Sequence, residues 1–201
     1  MKIRTLMIPN PITIGEKASI QEAIEVMKEH SIRHLPVVGK NNKLKGFVTL
    51  ADLKIGFIPS MVADLSLKDL MIRDPITVEP GDSVESAAQL IYTQKIGGMP
   101  VVENGRLVGI ITQTDILRAF IDMMGILKSS SRIDVVIGQE AGSFKRALQI
   151  IHESGGDIIN VGVVPQMTNE RTYCFRLSSC KTTPIREALE AEGFQVLSAM
   201  D

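Results

Sequence analysis

The 201-residue chain is 44% apolar and 22% charged, with a formal net charge of −1. That is the make-up of a globular chain able to bury a core, and it offers no basic stripe of the kind that holds nucleic acid. Two cysteines, Cys174 and Cys180, are too few for a disulfide framework and are expected as reduced thiols in a cytoplasmic protein.

Met1 to Ile14 contains Pro9 and Pro11 and no long apolar run, so no signal peptide is expected. No stretch reaches the roughly 18 consecutive apolar residues of a membrane-spanning helix. Ile12, Thr13 and Ile14 read as a short strand entered through Pro11. Ser19 followed by Glu22 is a capping-box signature. Ile20, Ala23, Ile24 and Met27 then recur at helical spacing, which predicts an amphipathic helix ending before Ser31. Pro36-Val37-Val38 and Gly46-Phe47-Val48 predict two buried strands joined by a polar turn, with a helix from Thr49 or just after.

The same order then returns. Pro75 to Val78 matches Pro11 to Ile14, and Ser83, Val84 and Ala87 match Ser19, Ile20 and Ala23. Gly98-Met99-Pro100-Val101-Val102 matches His34 to Val38, and Gly109-Ile110-Ile111-Thr112 matches Gly46 to Thr49 after a shorter turn. Such an internal duplication fixes the folding unit. Each copy reads as strand, helix, strand, strand, helix, too small to bury its sheet alone, so the two are expected to pack as a pseudo-twofold pair.

Between the copies, Phe57 to Asp69 reads as a linker with Pro59 as a breaker and Leu65, Leu67 and Leu70 as packing residues. Asp115 to Leu127 predicts a helix carrying Leu117, Phe120, Ile121, Met123 and Met124, and Lys128 to Ser131 a polar hinge. The expected domains are 1–62, 63–127 and 132–201. In the last, strands are predicted at Ile133–Ile137, Ile158–Val164, Thr172–Leu177 and Gln195–Leu197, with helices opened by Gly142-Ser143 and by Thr183-Pro184. The order is βαββαβ, a ferredoxin-like arrangement, so the fold class is α+β.

Thr49-x-x-Asp52 and Thr112-x-x-Asp115 each follow an apolar strand. One reading is a helix cap, with Thr and Asp satisfying free N–H groups. The other is a ligand site: a helix N-terminus suits phosphate, and a carboxylate accepts two hydrogen bonds from a ribose diol.

On the paired h-P-V-V and G-h-h-T-x-x-D tracts, residues 5 to 122 resemble a tandem of CBS domains. The resemblance implies a disc-like regulatory module whose clefts hold AMP, ADP, ATP or related adenosyl ligands, with no catalytic residue and no required cofactor. It implies one cleft from Ile12, Thr13, Ile32 and Arg33 with Thr112 and Asp115, and a second from Ile76, Thr77, Ile96 and Gly97 with Thr49 and Asp52. Arg33 and His34 are expected to crowd the first cleft and favour the more phosphorylated ligand, since Arg forks well to phosphate. Gly97 and Gly98 supply no charge to the second.

Residues 132 to 201 resemble an ACT domain. The first loop reads Gln139-Glu140-Ala141-Gly142 without that family's proline, and Gly156-Asp157-Ile158-Ile159 lacks its asparagine, so assembly is expected rather than amino-acid binding. The combination is similar to the acetoin-utilisation protein B group. A homodimer acting on an unidentified regulated enzyme is the expected partnership, without nucleic acid or membrane.

His30, His34 and His152 lack metal-ligand spacing, and no nucleophile elbow or P-loop occurs. Three function classes follow: a nucleotide sensor, a dimerisation scaffold with empty clefts, and a small thiol- or metal-dependent enzyme using Cys180 or a histidine.

Overall fold

The computed structural model describes residues 1–57, 65–126, 130–164 and 171–201. Pro59, Leu127, Lys128, Ser129 and the expected boundary at 62/63 lie outside them. Contacts divide the chain into Met1–Leu117 and Arg118–Asp201.

In the first unit, β1 (Ile8–Pro9) and β2 (Ile14–Gly15) precede α1 (Ile20–Glu29), β3 (His34–Val38) and β4 (Leu44–Thr49). The Ser19–Glu22 capping box forms: Glu22 N–H donates to Ser19 Oγ at 3.1 Å, and Ser19 N–H donates to Glu22 Oε2 at 2.7 Å. Ile20, Ala23, Ile24 and Met27 form the buried face of α1. A 3-10 turn over Asp52–Phe57 stands where a helix was expected.

The second copy runs α2 (Leu67–Leu70), α3 (Val84–Gln94), β5 (Gly98–Glu103), β6 (Arg106–Thr112) and α4 (Gln113–Met123). On α4, Ile116 and Ala119 are buried while Leu117, Phe120 and Met123 are exposed, as is Met124 just beyond it.

The predicted strands at Ile12–Ile14 and Pro75–Val78 are shorter than expected. Only Ile14–Gly15 pairs with β3, in parallel, and Val78 makes a single parallel bridge to Val101. Proline is the cause. Val78 N–H donates to Pro100 carbonyl and Val78 carbonyl accepts from Val102 N–H. Continuing that ladder to Ile76 needs an N–H at residue 100, which proline lacks. Register places Pro36 in the same relation to Ile12. Ile12 and Ile76 are thereby left out of the sheets, and both are exposed.

The copies exchange their lead-in segments. β1 completes the second copy's sheet, pairing Ile8 with Ile110 in the order β1-β6-β5. Ile72, in the equivalent position of the second copy, pairs with Phe47 of β4. Side chains follow the same exchange: Ile3 is buried with Val84, Met99 and Ile111 in the second core, and Leu67 with Met27, Leu35 and Leu53 in the first.

The second unit contains β7 (Ser130–Ile137), α5 (Ser143–Glu153), β8 (Ile158–Val164), β9 (Arg171–Ser178), α6 (Thr183–Ala191) and β10 (Gln195–Met200). The sheet is antiparallel throughout, in the order β10-β7-β9-β8. Alternate residues Ile133, Val135 and Ile137 of β7 bury against Ala147 and Ile151 of α5 and Ile185 and Leu189 of α6. Gly142, at φ +96, makes the left-handed turn into α5.

Candidate functional site

The two Thr-x-x-Asp turns have the same geometry. Asp52 Oδ2 accepts from Thr49 N–H at 2.9 Å and from Thr49 Oγ1 at 2.7 Å, and Asp52 N–H donates to Thr49 Oγ1 at 3.3 Å. Asp115 Oδ2 accepts from Thr112 N–H at 2.8 Å and from Thr112 Oγ1 at 2.7 Å, and Asp115 N–H donates back at 3.4 Å. These are caps. They engage Oδ2 alone: Oδ1 of each carboxylate has no hydrogen-bond partner among the described residues. The cap and ligand readings are therefore compatible, because the cap fixes the carboxylate and leaves one oxygen for an incoming hydroxyl.

Both turns open on one cavity of about 890 Å³, within the range of small-molecule sites. Of the twelve sequence-derived positions, Ile12, Ile32, Arg33, Thr112 and Asp115 of the first set and Ile76, Ile96, Gly97, Thr49 and Asp52 of the second all line it. Thr13 and Thr77 lie outside its lining. Residues of both sets line this one cavity.

Sequence reasoning missed Lys54, Lys95 and Asp74 in the lining, and Ile8 and Ile72 from the exchanged segments. Lys95 is the left-handed C-cap of α3, at φ 55, which turns the chain into Ile96-Gly97; a lysine there gives no sequence signal, since such caps are usually Gly or Asn. Arg33 is exposed and forms no ion pair among the described residues, so its guanidinium is available to an anion.

His34 reaches residues of both sets, with Asp115 of the first and Asp52 of the second both acting on its charge. It opens β3 opposite Thr49 and stacks on Phe47, with centroids 5.9 Å apart and rings at 16°. Its ring reaches Gly97 of the second set: a Cβ there would stand 2.5 Å from His34 Nε2. Only glycine leaves room for that approach. Burial, with the Arg33 charge added, holds the imidazole below its ordinary pKa, while Asp115 and Asp52 pull the other way. Among the described residues, no cluster of His, Cys, Asp or Glu side chains is placed to hold a metal, and no helix is long and apolar enough to cross a membrane.

The first unit's fold is found in solved structures. The CBS domain pair of protein MJ0100, in complex with 5′-methylthioadenosine and S-adenosyl-L-methionine, is 31% identical with a TM-score of 0.56, covering 60% of this chain and 95% of that one. CBSX2 in complex with AMP is 29% identical with a TM-score of 0.55, covering 60% and 96%. A Vibrio cholerae protein assigned to acetoin utilization (AcuB) is 31% identical with a TM-score of 0.56, covering 63% and 94%. Among curated relatives, a homoserine O-acetyltransferase of Methanocorpusculum labreanum is 39% identical over 114 residues, 56% of this chain. This chain spans only 23% of that protein's length and 41% of the next relative's, MJ1225 of Methanocaldococcus jannaschii. The CBS domain family model matches twice, at residues 3–55 and 67–122, together more than half the chain. The chain belongs to the CBS-domain family and carries two CBS domains in tandem.

Proposed function

We propose that residues 1–127 form a non-catalytic sensor that binds an adenine nucleotide (AMP, ADP or ATP) or an adenosyl ligand in the groove shared by the two copies. The observation that carries this reading is the pair of cap-anchored carboxylates, each with Oδ1 unengaged, on one cavity beside Arg33. A ribose diol donates to such an oxygen, the apolar Ile12, Ile32, Ile76 and Ile96 suit a flat base, and Arg33 suits phosphate. The adenosyl compounds bound by MJ0100 and CBSX2 support the ligand class.

We divide the chain functionally at 1–62, 63–127 and 132–201. The βαββαβ order and the antiparallel sheet β10-β7-β9-β8 support reading the last part as a ferredoxin-like, ACT-type domain with an assembly role. Exposed Leu117, Phe120 and Met123 on α4, with Met124 just beyond it, favour a homodimer. Ligand binding then acts on a regulated enzyme by stabilising one arrangement of the two copies, limited by the ligand's differential affinity for it.

The test is calorimetric titration of the full chain with AMP, ADP, ATP and S-adenosylmethionine. Saturable binding of at least one is expected. Flat titrations for all four at millimolar concentration reject the sensor and leave the scaffold.

A further inference from the structure

The groove is built from two copies, yet its halves are not interchangeable. His34 and Gly98 hold equivalent places, the first residues of β3 and β5, opposite Thr49 and Thr112 respectively. Arg33 and Gly97 are equivalent in turn. So at one of the two equivalent junctions an imidazole meets a glycine, while at the other the equivalent positions are held by Gly98 and Arg33. At the first the ring stacks on Phe47 and lies against Gly97, and the backbone that carries it is paired to Thr49. Gly97, Thr49 and Asp52 all belong to the second set of groove residues. At the second junction no side chain extends from Gly98, and Arg33 carries no ion pair among the described residues.

We propose that the His34 imidazole is a built-in occupant of the second half of the groove, so that the wild-type chain takes a single nucleotide, in the half formed by Ile12, Ile32, Arg33, Thr112 and Asp115. This rests on the sensor reading above and adds which half is open and why. Ring volume and burial carry the effect. A flat, half-buried imidazole stacked on an aromatic fills the kind of slot a purine would need. Removing a ring that is not replaced leaves a cavity that a planar ligand can enter.

The experiment is calorimetry of AMP with the full chain, reading stoichiometry. Wild type is expected to bind one equivalent, and Asp115→Asn to weaken that site at least about tenfold, as loss of a charge-assisted hydrogen bond does. His34→Gly and His34→Ala are each expected to bind two, with circular dichroism reporting that they fold. His34→Gly combined with Asp52→Asn is expected to return to one. Two equivalents on wild type, or one on both folded His34 variants, overturns the proposal and leaves the sensor reading standing. No AMP heat from wild type or either variant overturns AMP sensing at this groove, and this proposal with it. If neither His34 variant folds, the Asp115→Asn titration decides: undiminished AMP binding places the ligand away from the Arg33 half and overturns the proposal.

Discussion

Ile72 and Phe47 exchange both of their backbone hydrogen bonds, each N–H donating to the other's carbonyl at 2.9 Å. The lead-in of the second copy thereby completes the first copy's sheet, as Ile8 completes the second's against Ile110. A tandem pair joined in this way is one folding unit in which each core depends on residues placed before the other copy.

Leu67→Ala is therefore expected to destabilise the first copy's core although Leu67 lies beyond its last strand. The loss expected for a fully buried leucine is about 2–5 kcal/mol, read from urea denaturation of the full chain. Gly46→Ala tests the same junction from the other side. Its Cβ would stand 2.6 Å from Met71 Sδ and 3.0 Å from the Ile72 carbonyl, so either the methionine or the strand pairing must yield. A loss below about 1 kcal/mol for Leu67→Ala contradicts the exchange, because exposed substitutions fall in that range.

The duplication was legible in the sequence because it repeats over many positions, and so were α1 and its cap, because Ser19, Glu22 and the apolar spacing agree. The exchange was not. β1 is two residues long and Ile3 is a single apolar residue, and neither has a period to read. Of the four lead-in residues that the resemblance implies, Ile12 and Ile76 line the groove, kept out of the sheets by the prolines at 36 and 100, while Thr13 and Thr77 lie outside its lining. The crossing of His34 to Gly97 needs the three-dimensional pairing of the copies, although the mismatch between His34 and Gly98 was already visible in the sequence.

The double duty of Asp115 separates two effects in one variant. Asp115→Ala removes the acceptor of Thr112 N–H and Oγ1, and it is expected to cost about 1 kcal/mol of stability, as cap losses do. It is also expected to abolish AMP binding, through loss of the unengaged oxygen. Ser19→Ala removes a cap away from the groove at a similar cost. AMP binding that survives in Ser19→Ala and fails in Asp115→Ala assigns the carboxylate to the ligand. Equal binding in both returns Asp115 to a cap alone.

His34 gives the protein a pH dependence with a defined sign. Burial, then Arg33, lowers its folded pKa, against a smaller opposing pull from Asp115 and Asp52. The unfolded imidazole titrates near its ordinary value of about 6.5, so on acidification the unfolded chain takes up this proton first. The associated stability is present in full above about pH 6.5 and is lost as pH falls through the interval below it. The urea midpoint is expected to fall between roughly pH 7.5 and 5.5, and the fall to be smaller in His34→Gln. An identical slope in the variant assigns the acid sensitivity to other groups.

Cys174 is a different thiol from the Cys180 of the enzyme alternative, and its surroundings set its reactivity. It is half-buried in β9 opposite Asp134, which is held by a bidentate pair with Arg132 at 2.8 Å for each bond. Burial pushes the Cys174 thiol up, and the Asp134 carboxylate adds to the rise, outweighing the opposite pull of Arg132 and Arg176. Nucleophilicity needs thiolate, so this cysteine is expected to resist alkylation while the chain is folded. Peptide mapping after brief iodoacetamide treatment at about pH 8 is expected to find Cys174 unmodified, and to find it modified once urea unfolds the chain. Rapid labelling of folded Cys174 contradicts the shielding described.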